Sequence, residues 1–192
     1  MSYLRIITYL LVTVLFFETL NAQFTALSGG LTFSSGIEYN TGTTGNPGFY
    51  GNGYFKINKN FHIIPSLTVY NKYEKSDISN IILKTNMFHA DIDGAIDFYK
   101  DKYLRFAGYT GLNATALISR WKFLNPDIDT EDFHNKSDLK PGLNLGLATR
   151  MYVNDHFDAY ISAKYILSTF NQVVINVGAI YYFEGKRRKG SW

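Results

Sequence analysis

Leu139-Lys140-Pro141-Gly142-Leu143-Asn144-Leu145-Gly146-Leu147-Ala148-Thr149-Arg150-Met151-Tyr152-Val153 is the stretch that decides the fold of this chain. Leu139, Pro141, Leu143, Leu145, Leu147 and Met151 share one parity, and Lys140, Gly142, Asn144, Gly146, Arg150 and Tyr152 share the other. Successive side chains of a β-strand point to opposite faces, so this alternation predicts a strand with one apolar and one polar face.

The pattern recurs on both sides. Working outward, it predicts strands over Leu27–Tyr39, Phe49–Ile57, Phe61–Tyr73, Leu83–Tyr99, Tyr103–Trp121, Phe157–Leu167 and Gln172–Phe183, which with Leu139–Val153 makes eight. Asn58-Lys59-Asn60, Lys100-Asp101-Lys102 and Asn154-Asp155-His156 read as tight polar turns. The alternate connections, Asn40 to Gly48, Glu74 to about Ile82 and Lys122 to Asp138, are longer, and only Thr169 to Asn171 is short. Short turns on one rim and longer loops on the other, with segments at or above the ~9–11 residues a tilted strand needs to cross a bilayer, predict an eight-stranded antiparallel up-and-down transmembrane β-barrel. Both termini then lie on the short-turn, periplasmic rim.

The polar face chooses lipid over water as the outside. It carries Glu38, Lys56, Lys72, Asp91, Asp93, Asp97, Arg105, Lys140, Arg150 and Lys164, both signs in comparable numbers, as expected of a lumenal ionic network. Gly36, Gly111, Gly142, Gly146 and Gly178 share that face. Glycine weakens a strand that water covers, but in a narrow barrel it makes room for large side chains reaching across the lumen. Tyr50, Tyr54, Tyr70, Tyr109, Tyr152 and Tyr182 are the bulky lumenal candidates and predict a plugged barrel. Phe49, Phe61, Phe98, Phe106, Phe157, Tyr165 and Phe183 lie near strand ends on the apolar face, like aromatic girdles. The unusual aromatic content, 17% with fifteen Tyr and fifteen Phe, fits a protein that meets both lipid and water.

The ends read differently. Residues 1–22 have Arg5 before an apolar run and the small Ala22 before Gln23, the pattern of a secretory signal; the run is too short to span a bilayer as a helix. The barrel is expected over 23–185 and a basic tail over 186–192. The net charge of +3 includes the run Lys186, Arg187, Arg188 and Lys189, so the remainder is near neutral and carries no nucleic-acid footprint. Cys is absent, which rules out disulfides and Cys metal clusters.

The endings Asn21-Ala22-Gln23 and Gly178-Ala179-Ile180-Tyr181-Tyr182-Phe183, with the stretch Lys140 to Leu147, resemble the small outer-membrane β-barrel domain proteins of Bacteroidota and, more distantly, the OmpA- and OmpX-type barrels. The resemblance implies residence in the cell outer membrane of a Gram-negative bacterium among lipid and lipopolysaccharide, and insertion by the barrel assembly machinery. Phe183 resembles the terminal aromatic used as an insertion signal. The chain departs from the pattern by continuing to Trp192, so either residue is placed to serve.

Chemistry is sparse. His89, Asp91, Asp93 and Asp97 share one face and could hold a divalent cation; the plainer expectation is salt bridging to Arg105 across the turn and to Lys or Arg elsewhere in the lumen. The acidic run with Asp127, Asp129, Glu131 and Asp132 could bind Ca²⁺ or a basic partner, yet lacks the spacing and central Gly of an EF-hand loop, and a solvated loop is the simpler reading. Barrels that modify lipids pair a His with a Ser near the outer rim; here only His134 and Ser137, in the long connection between the fifth and sixth strands, offer such types. No cofactor motif, metal-ligand spacing or catalytic set stands out. The function expected is that of a non-enzymatic barrel, structural or an accessory subunit of a larger envelope protein complex, with a surface-binding module or a lipid-modifying enzyme as the alternatives.

Overall fold

In a computed structural model, residues 23–35, 46–71, 73–76, 81–123, 133–169 and 171–184 are described. They form β1 (Gln23–Ser34), β2 (Asn46–Lys56), β3 (Phe61–Tyr70), β4 (Tyr73–Ser76), β5 (Ile81–Lys100), β6 (Leu104–Phe123), β7 (Phe133–Tyr152), β8 (Phe157–Ser168) and β9 (Gln172–Tyr182). All pairings are antiparallel. β3 and β4 are one stave: both pair with β5, Val69 opposite Phe88 and Tyr73 opposite Thr85, with one extra residue accommodated between them. The barrel therefore has eight staves, as the alternation predicts. It closes where β1 meets β9, from Ala26 opposite Tyr182 to Ser34 opposite Val174. Closure is what hydrocarbon demands, since lipid offers no partner to a free strand edge.

Local chemistry fixes the short rim. Asn58 Oδ1 accepts from the N–H groups of Asn60 (3.0 Å) and Phe61 (2.8 Å), and Asn154 Oδ1 accepts from those of His156 and Phe157, both at 2.9 Å. Each Asn thus folds its turn back through its own amide. Gln23 and Tyr182 lie at this same rim, and short turns mark the periplasmic side of outer-membrane barrels.

The apolar parity faces outward. Leu145 is 61% exposed, while its neighbour Asn144 is 1% exposed. A monomer in water rarely leaves a contiguous apolar belt of this kind uncovered, so the surrounding medium is lipid. Rings gather at the periplasmic end of the belt: Phe24 lies 5.0 Å from Phe55 and 5.1 Å from Phe183 between centroids, and Phe157 lies 5.1 Å from Tyr181.

Several strands run longer than the alternation predicts, β7 most of all. β5, β6 and β7 each have 20 residues, whereas β8 and β9 have 12 and 11. The expected start of the sixth strand at Leu139 moves back to Phe133, and residues 124–132 alone separate β6 from β7. The second strand likewise begins at Asn46 rather than Phe49. Glu38, Lys72, Asp127, Asp129, Glu131, Asp132 and the segments 1–22 and 186–192 lie outside the described residues.

Candidate functional site

The lumen is the candidate site, and β5 supplies its axis. From the periplasmic end, Asp97, Asp93, Asp91, His89, Met87 and Thr85 all point inward and are buried. Asp91 is the hub of a polar cluster. Its Oδ2 accepts from Lys164 Nζ on β8 and from Ser66 Oγ on β3 (3.0 Å). Its Oδ1 accepts from Asn113 Nδ2 on β6 (2.6 Å) and Asn144 Nδ2 on β7 (3.0 Å). Asn144 Nδ2 also donates to Asp93 Oδ1 at 2.8 Å, and Thr115 Oγ1 to Asn113 Oδ1 at 2.8 Å. One carboxylate thereby ties five staves together across the barrel. A buried charge is tolerated only when paired and hydrogen-bonded, and here both side chains of the Asp91–Lys164 pair are at most 4% exposed.

The second buried pair corrects an expectation. Asp97 accepts from Arg150 Nη2 on β7, not from Arg105 across the β5–β6 turn. The register explains it: Arg105 lies opposite both Lys100 and Arg150, and it lines the periplasmic mouth with Lys100 and Arg150. Lys56 lines that mouth too, while Lys140 is at the opposite rim, 3.5 Å from Asp138. Asp91, Asp93, Asp97, Arg150 and Lys164 are thus brought together in the lumen, whereas Lys56, Arg105 and Lys140 sit at its ends.

Aromatic bulk separates the two ionic layers. Tyr50, Tyr54, Tyr109 and Tyr160 are buried in one cluster with Ile64 and Ile180. Tyr160 escapes the sequence reading, although its parity with Asp158, Ser162 and Lys164 signals the inward face. Two glycines meet these rings. A Cβ on Gly146 would lie 2.5 Å from Tyr109 Cζ, and one on Gly178 would meet the backbone carbonyl of Gly29 first and then the Tyr50 hydroxyl oxygen at 2.6 Å. Further up, Tyr70 OH and His89 Nδ1 are 3.3 Å apart, with Ser34 Oγ donating to Gln172 Oε1 at 2.7 Å. Ile166, Val174 and Ile180 are also inside, so the interior is less uniformly polar than the alternation implies.

The central void among these side chains, bounded by Tyr54, Asp93, Tyr109, Arg150, Tyr160 and Lys164, is ≈ 20 Å³. That is room for about one water. Among the described residues, no three His, Asp or Glu come together in a way that could hold a metal. His134 and Ser137, expected in a loop, fall on β7 at positions of opposite parity.

These features define a class: a small eight-stranded outer-membrane β-barrel with a filled lumen. Solved structures agree on the fold. The chain is similar to Ail, the attachment invasion locus protein of Yersinia pestis, with a TM-score of 0.59, 15% identity, and coverage of 83% of this chain and 97% of that one. It is similar to Neisserial surface protein A at 0.53 and 13% identity, covering 85% and 99%. It is similar to the outer membrane protein OprG of Pseudomonas aeruginosa at 0.52 and 12% identity, covering 85% and 97%. The chain matches no protein-family profile and no curated protein sequence.

Proposed function

We propose that this barrel is a non-enzymatic outer-membrane protein that acts through its rims, as a structural or accessory subunit of a larger envelope protein complex. The observation that carries this reading is the filled lumen: a void of ≈ 20 Å³ ringed by tyrosines and two buried ion pairs leaves no path for solutes. Export by residues 1–22, insertion by the barrel assembly machinery, surroundings of lipid and lipopolysaccharide, and an origin in Bacteroidota belong to the same proposal. The test is a pull-down of the tagged chain from gently solubilised membranes. A stoichiometric partner is the expected result; a chain recovered as a monomer without one overturns the subunit reading.

One observation favours a second role as a surface-binding module. β7 pairs with β8 only from Gly142 onward, because β8 ends at Ser168. Tyr152 N–H donates to Tyr103 O at 2.8 Å, so even positions of β7 turn their backbone groups to β6. Ser137 and Leu139 therefore turn theirs to the open edge, and Pro141, without an N–H, stands where pairing stops. Among the described residues no strand covers this edge, and an uncovered edge can accept an added strand. A photo-crosslinking residue at Leu139 should capture a surface partner that one at lipid-facing Ile175 does not; equal capture at both would remove this reading.

A further inference from the structure

The periplasmic mouth of the barrel opens into a vestibule of ≈ 820 Å³ lined by Lys56, Lys59, His62, Lys100, Arg105 and Arg150. The strands themselves place these cations side by side. Lys100 on β5 is the register partner of Arg105 on β6, and Arg105 is the partner of Arg150 on β7. On the adjoining staves Lys56 is the partner of His62. Lys100 also lies in the electrostatic field of Arg105, Arg150 and Lys56, which Asp97 opposes. Like charges directly opposite one another in a sheet repel, so a row of three across adjacent strands stands against the local stability of the fold.

Among the described residues little offsets it. Asp97 is committed to Arg150. Glu184 is the one carboxylate among the lining residues, and among the described residues no ion pair engages Lys56, Lys59, Lys100 or Arg105. The vestibule also reaches the aromatic girdle, since Phe24 and Phe183 form part of its wall. Its volume suits a small polar ligand or a headgroup.

We propose that this vestibule is a binding site for a phosphate-bearing anion, whose charge answers Lys56, Lys100 and Arg105, the lining cations that no ion pair among the described residues engages. Two sources share that chemistry: the headgroup of an anionic phospholipid of the inner leaflet, whose chains would lie against Phe24 and Phe183, and a soluble phosphate of the periplasm. Basic pockets at a membrane boundary take phospholipid headgroups through this kind of charge.

The test uses the full chain in neutral detergent, with backbone amide resonances followed by NMR. The probes are short-chain phosphatidylglycerol, short-chain phosphatidylcholine and inorganic pyrophosphate. Either phosphatidylglycerol or pyrophosphate should shift amides around Lys56–His62 and Lys100–Arg105. A response to the lipid alone identifies the headgroup as ligand, and an equal response to pyrophosphate identifies soluble phosphate; either supports the site. K56Q should weaken binding roughly fivefold, and the triple variant K56Q/K100Q/R105Q roughly a hundredfold, at about fivefold for each basic residue removed. K102Q, which removes a cation at the same rim but outside the vestibule, should change nothing. The site is overturned if neither anionic probe shifts these amides, if phosphatidylcholine does so equally well, or if K102Q weakens binding as much as K56Q.

Discussion

Replacing Lys164 by Met tests whether the lumen is the dry ionic interior described above. The substitution keeps most of the side-chain volume and deletes the ammonium that faces Asp91, in a pair whose side chains are 4% and 0% exposed. The Asp91 carboxylate would keep three neutral donors, Ser66, Asn113 and Asn144. Removing one member of a buried ion pair costs about 3–5 kcal/mol; the surviving donors place K164M near the lower figure, about 3 kcal/mol. D91N should cost less, because Asp93 also lies in the field of Lys164 and can take over as counter-charge. The double variant D91N/K164M should then be more stable than the sum of the singles implies, by ~2 kcal/mol, since a pair removed whole leaves no stranded charge. The assay is urea unfolding from phospholipid vesicles, followed by circular dichroism and read as a midpoint shift at constant slope. The K164M cost should be the same at 0.1 M and 1 M NaCl, which would screen an exposed pair. A K164M loss within about 0.5 kcal/mol of zero, or strict additivity in the double variant, would refute the reasoning.

Three further outcomes follow from the same geometry. G146A should cost ~1–3 kcal/mol, because the new methyl meets a packed ring; since two of the three nearest atoms belong to Tyr109, adding Y109L should recover part of the loss in the same unfolding assay. L145R places a cation on the lipid face and should cost about 2–4 kcal/mol. In planar bilayers the purified chain should show no porin-size conductance steps, given a central void of ≈ 20 Å³; large, regular steps would contradict the plugged lumen.

Much of the barrel was legible because lipid imposes the pattern. Where a strand crosses hydrocarbon, one face must be apolar, and Leu143, Leu145 and Leu147 announce it. Where the strand leaves hydrocarbon, that pressure ends. Lys136, Ser137 and Asp138 lie in such an extension, so β7 continues there without an alternating sequence to mark it. The inward face was legible at Gly146 because the ring of Tyr109 needs its space, and at Gly178 because the Gly29 backbone and the Tyr50 hydroxyl both crowd it. Charge pairing was not. Arg105 is near Asp97 along the chain, but the register of β6 against β7 gives that place to Arg150. The convergence of Ser66, Asn113, Asn144 and Lys164 on Asp91 is likewise a product of closure, which joins residues from five staves. Lys59 and Lys100 read as ordinary turn residues, and only the barrel's curvature brings them into one vestibule with Lys56 and Arg105.

The account rests on the orientation of the sheet, and the absence of Cys from the chain makes that directly measurable. Spin labels placed one at a time from Leu143 to Leu147 in the vesicle-embedded protein should alternate in their collisions with two relaxing agents. Labels replacing Leu143, Leu145 and Leu147 should be relaxed strongly by lipid-soluble oxygen and weakly by a water-soluble nickel chelate, with labels replacing Asn144 and Gly146 shielded from both. The opposite phase, with the leucine positions shielded and the asparagine position open to the chelate, would mean that the oily face is the core of a water-soluble protein.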